Sequence, residues 1–162
     1  MKKVVALFLS AIMLLSAVAF AESKSPVPGI TVISVDPAES QVIIDNNSEI
    51  AKAIIEAIGG VGMTEAFSAV EAIDNPEDYN LLGLAEISFA NADNGLVMVL
   101  SVPGVKANDE VVVLLGVIVE SNVKWASLEV VSVEEGVVTV AVTPEQVASV
   151  QGGSAVIAVL TK

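Results

Sequence analysis

The sequence predicts a mostly β protein, an antiparallel β-sandwich of Ig-like type with one or two short helices in its N-terminal half. Three observations predict it. From Leu81 onward, short valine-rich runs follow one another closely, joined by glycine-containing turns, which is the pattern of a sandwich or barrel. The run Val111 to Val119 is apolar at every position but Gly116, so it reads as a central strand covered on both faces. Aromatic residues make up only 4% of the chain, too few for the girdles of an outer-membrane barrel, which also needs a polar lumen face.

The elements follow in order. Ile30 to Val35 and Gln41 to Asp45 alternate as two short strands, with Asp36-Pro37-Ala38-Glu39 between them as a type I turn that puts Pro at its second position. Asp45-Asn46-Asn47-Ser48 supplies side-chain oxygens for the start of a helix. Ile50, Ile54 and Ile58 then fall on one stripe of that helix, from about Glu49 to Ile58. Gly59-Gly60 is expected to stop it. Thr64 to Ile73 favours helix by its alanines, whereas Phe67, Val70 and Ile73 would also suit a strand. Asp74 to Tyr79 reads as a loop.

Leu84 to Ala90 sets Ala85, Ile87 and Phe89 on one face and Glu86 and Ser88 on the other. Asp93-Asn94-Gly95 predicts a hairpin to Leu96–Val102, because Asn-Gly between strands is a strong hairpin signal. Glu120-Ser121-Asn122 turns the chain into a strand that carries Trp125. Leu128 to Val133 and Val137 to Val142 make another hairpin around Glu134-Glu135-Gly136. A short helical turn from Thr143 to Ser149 precedes Gly152-Gly153 and the last strand, Ala155 to Leu160.

Ahead of all this stands a secretory signal. Met1-Lys2-Lys3 is positive, Val4 to about Leu15 is apolar, and Ala19-Phe20-Ala21 fits an A-x-A cleavage site. The apolar run falls short of the roughly 20 residues that cross a bilayer. The organisation expected is therefore a signal peptide over 1–21, an extended proline-containing tether over 22–29, a small strand-helix segment over 30–80 and a β-sandwich domain over 81–162. Localisation follows: an exported chain, periplasmic or extracellular at the cell surface, with no membrane span once the signal is cut.

Composition restricts function further. The chain carries seven basic and twenty acidic residues, a formal charge of −13, and cleavage would remove Lys2 and Lys3. Nucleic acid is excluded as a partner, since its binding needs clustered Lys and Arg against phosphates. Histidine and cysteine are both absent. That removes Ser-His-Asp and Cys-His nucleophilic machinery and the nitrogen and thiolate ligands of zinc, copper and haem. Packing alone must hold the fold, without disulfides. No enzyme activity and no catalytic residues are expected.

Two kinds of binding remain open. Calcium takes clustered oxygen ligands, and Asp74, Glu77 and Asp78 form the densest acidic cluster, with Asn91 to Gly95 second; a solvated loop and a plain turn are the competing readings. No other cofactor is expected. Trp125 and Tyr79 are the candidate contacts for a glycan ring, against the reading that Trp125 simply packs in the core.

The C-terminal half also carries Val102-Pro103-Gly104-Val105-Lys106, Asp109 with Val111-Val112-Val113-Leu114, Lys124-Trp125, and the Glu135-Gly136-Val137-Val138-Thr139-Val140 hairpin. In these it resembles a β-sandwich module found near the C-terminus of exported surface proteins of anaerobic bacteria, over roughly residues 84 to 162. The resemblance implies an accessory or structural surface module with no catalytic residues. The reading reached from sequence is an exported non-enzymatic structural or protein-interaction module of the cell envelope or secretome, with a protein partner there. The alternative is a small ligand-binding domain, for calcium or a glycan.

Overall fold

A computed structural model describes residues 29–120, 122–151 and 154–162. The expected signal peptide, the expected tether up to residue 28, Ser121 of the expected turn and the Gly152-Gly153 pair lie outside the described residues.

The protein is mostly β. Eight strands run antiparallel in one sheet: β1 (Thr31–Asp36), β2 (Gln41–Asp45), β3 (Asn80–Ala90), β4 (Leu96–Ser101), β5 (Val111–Val119), β6 (Asn122–Glu134), β7 (Val137–Val142) and β8 (Ala155–Thr161). Their order is β1-β4-β7-β6-β5-β8-β3-β2, and the sheet curls nearly into a barrel. The first two strands thus share one sheet with the strands of the C-terminal half. The long β6 makes the curl: it pairs with β5 over Asn122–Leu128 and passes to β7 from Glu129 onward, with a register shift between Val130 and Ser132. Such an irregularity sharpens the local twist and lets a strand turn a corner.

Alternating side chains fill the interior. Leu96, Met98 and Leu100 of β4 meet Val138, Val140 and Val142 of β7, with Val113 and Leu115 of β5 and Ile157 and Val159 of β8 from the other wall. A second apolar cluster lies outside the sheet, under α1 (Glu49–Val61) and α2 (Met63–Phe67). Ile54, Ile58 and Phe67 cover Leu114, Val123, Val156, Ala158 and Leu160 there. β8 is therefore buried at all seven positions. Its unbroken apolar run is the sequence cost of burial on two faces.

The helices correct two expectations. They are not confined to the N-terminal half: α3 (Pro144–Val150) lies beyond residue 81, and its Val147 and Val150 join the inner core. Thr143 and Gln146 start it with a reciprocal cap, each side chain bonded to the other's backbone N–H. Nor does Gly59-Gly60 end α1. The helix continues to Val61 and stops at Gly62, whose N–H still reaches the Ile58 carbonyl at 2.8 Å while its φ of 89° turns the following chain out of the helix. Both earlier glycines sit in open space on the exposed side, where a missing side chain weakens a helix without breaking it. Of the segment Thr64 to Ile73, only the start is helical; after Phe67 it proceeds as two turns, closed by Val70 N–H to Phe67 O and Ile73 N–H to Val70 O.

Two turn assignments also change. The first turn closes from Ser40 N–H to the Pro37 carbonyl, so Pro37 takes its first position. More consequentially, Asn94-Gly95 does not join a hairpin. β3 pairs with β2 and β8, and β4 pairs with β1 and β7. The Asn91–Gly95 connection crosses the end of the barrel with Ala92 buried, and Gly95 approaches β7 so closely that a Cβ would lie 2.6 Å from the Val142 carbonyl. Close approach as well as positive φ requires this glycine.

The edge strands β1 and β2 are fastened at both ends. The Ser40 hydroxyl donates to the Asn91 carbonyl at 2.6 Å. At the other end the Asn46 amide accepts from Ile30 N–H and donates to Ile30 O, each at 2.8 Å, and so imitates one rung of a strand ladder. Asn46 was expected only as part of a helix start. The cap itself is Ser48, which accepts from Ala51 N–H and donates to the Glu86 carboxylate of β3.

Candidate functional site

A groove of about 400 Å³ opens between the two turns after α2 and the N-terminal half of β6. Ala69, Val70, Glu71 and Ala72 form one wall; Trp125, Ala126 and Ser127 form the other.

Trp125 owes its position to Gly116. The two residues face each other across β5 and β6. The indole six-ring occupies the space a side chain would take at position 116: a Cβ there would lie 2.6 Å from the ring. On the helix side, Phe67 meets Trp125 with ring centroids 5.3 Å apart and planes tilted by 54°, a favourable geometry for an aromatic pair. The apolar body of Trp125 is thus part of the packing between sheet and helices. Its polar tip is not accommodated. The indole N–H is buried and has no acceptor. A buried donor without a partner costs about 1–3 kcal/mol, and among the described residues no other buried side-chain nitrogen or oxygen is left in that condition.

Tyr79, the other aromatic candidate, is elsewhere. It is 5% exposed, behind the short 3₁₀ turn Pro76–Asp78. Its hydroxyl donates to Glu110 at 3.0 Å, and the Lys162 ammonium lies over its ring, 5.7 Å from the centroid. Burial raises its pKa above the usual tyrosine value, helped by the Glu110 hydrogen bond and by the negative charges of Glu110, Asp74 and Asp78. Tyr79 and Trp125 therefore belong to separate places and do not form one aromatic platform.

The acidic cluster divides in the same way. Asp74 and Asp78 act on the Tyr79 hydroxyl, whereas Glu77 accepts a long 3.4 Å bond from Thr64. Among the described residues no three acidic side chains converge as a metal centre would need. Asn91 to Gly95 serves as the crossing between β3 and β4.

Sequence reasoning singled out Trp125 but missed the rest of the groove. Glu71 and Ser127 stand 56 positions apart on segments with no motif, and only the tertiary fold brings them together. Among the described residues no helix is long and apolar enough to cross a membrane. Comparison of the chain with protein-family models, with curated proteins and with solved structures gave no match.

Proposed function

We propose that this chain is an exported, non-enzymatic structural or protein-interaction module that docks a protein partner at the cell envelope or outside the cell. The observation that carries this reading is the pair of edge strands. β1 and β2 end the strand order, and each presents an isoleucine to solvent near its middle, Ile33 at 56% and Ile43 at 62% exposure. An edge strand with unpaired backbone groups and apolar side chains is the surface to which another extended segment adds. The N-terminal charge pattern and Ala19-Phe20-Ala21 support export. The finer architecture we infer is an Ig-like sandwich, with β2, β3, β8, β5 and the first half of β6 as one layer and the rest of β6 with β7, β4 and β1 as the other.

The test takes the full chain in an exporting bacterium. Mass spectrometry should find a product beginning at Glu22, and a photo-crosslinker at position 43 should capture one defined partner, with Ile33→Lys abolishing the adduct. A product retaining Met1, or crosslinking that Ile33→Lys leaves unchanged, contradicts the reading. A small glycan-binding domain is the second reading, favoured by the buried indole N–H beside an open groove.

A further inference from the structure

Resting on that second reading, we infer that the groove between Ala69–Ala72 and Trp125–Ser127 is a subsite for a neutral saccharide, with Trp125, Glu71 and Ser127 as its binding residues. The inference begins with what the lining demands. The Trp125 N–H is a donor lacking an acceptor. Glu71 is an exposed carboxylate on the opposite wall, able only to accept when ionised, and Ser127 adds a hydroxyl that can do either. The small apolar residues Ala69 and Ala72 line the groove beside them.

A ligand that satisfies this set must offer donors and acceptors side by side on a body that also presents C–H surface. Vicinal hydroxyls on a sugar ring do so: one oxygen accepts from the indole, a neighbouring O–H donates to the carboxylate, and the ring's C–H face rests on the methyls. The volume of about 400 Å³ falls at the lower end of small-molecule sites, of order 300–1,000 Å³. Charge selects among sugars. The chain's formal charge of −13 and the carboxylate in the wall repel an anionic glycan.

The indole N–H is closed off as the fold stands, so binding requires the wall, two successive turns each closed by one backbone hydrogen bond, to shift and admit an acceptor.

The experiment uses the exported chain and three neutral disaccharides (cellobiose, maltose and N,N′-diacetylchitobiose), with digalacturonate as the anionic comparison. Trp125 is the sole tryptophan, so one indole N–H resonance reports the site. At least one neutral disaccharide should shift that resonance saturably, and calorimetry should give the same affinity. Glu71→Gln should weaken it about 10–100-fold, the loss expected when a hydrogen bond to a charged group is removed. Ser127→Ala should weaken it less, and both variants should keep the parent melting temperature. Calorimetric binding without an indole shift, or binding that Glu71→Gln leaves intact, overturns the groove assignment while a glycan reading stands on another surface. Equal binding of digalacturonate overturns the neutral class. No binding of any sugar overturns both the subsite and the glycan reading.

Discussion

β7 and β8 are both short, both rich in valine, and both interior strands of the same sheet, yet they are solvated differently. β7 alternates, with Val138, Val140 and Val142 buried and the residues between them half-exposed. β8 is buried throughout, because α1 and α2 lie across its outer face. The helix layer thus divides the protein into a framework side, β8 and the middle of β5 (Val113–Val117), sealed from water on both faces, and a bare side, β1, β4 and β7, sealed on one. The difference teaches where change is tolerated. Docking can be placed on the bare side and at the edges, because little of the core depends on their outer faces.

Mutations can break or sharpen that comparison. Leu160→Ala, under the helices, should cost about 2–5 kcal/mol by chemical denaturation, whereas Val99→Ala on the outer face of β4 should cost under about 1 kcal/mol. Equal losses would erase the distinction. Gly116→Ala forces a methyl into the Trp125 ring and should cost about 1–3 kcal/mol, with a shift in tryptophan emission. Asn46→Ala removes both hydrogen bonds to Ile30 and should cost about 1–2 kcal/mol; faster proteolysis near β1 would locate the effect at the seam.

Tyr79 gives a pH test on the framework side. Its folded pKa lies above the unfolded value, so its contribution is intact below pH about 10 and lost as pH rises through the folded pKa. Thermal melts above pH 10 should fall more steeply for the parent than for Tyr79→Phe. The smallest effect belongs to the edges: Ile33→Thr and Ile43→Thr should alter stability by no more than about 0.5 kcal/mol, while weakening any partner that adds to those strands.

How much was legible in the sequence depended on the range of the signal. β2 was readable to the residue, and the apolar run of β5, broken only by Gly116, announced a strand covered twice. Thr143-Pro144-Glu145-Gln146 carried its helix start in four residues. Long-range pairing was not readable. Asn94-Gly95 has the local chemistry of a hairpin, but β2 and β8 already occupy both sides of β3, and nothing near residue 94 encodes that. Gly59-Gly60 looked like a stop because glycine permits positive φ; the fold uses that freedom at Gly62 instead. At the groove, Trp125 was visible as a lone large aromatic. Gly116, which makes room for it, and Glu71, which faces it, were visible only once register and packing were known.

Native-state hydrogen exchange on the chain tests the division most directly. The amides of β8 and β5 should exchange only through global unfolding, and those of β1 and β2 through smaller openings several kcal/mol easier. Uniform protection across all eight strands, or edge strands that outlast β8, would contradict it.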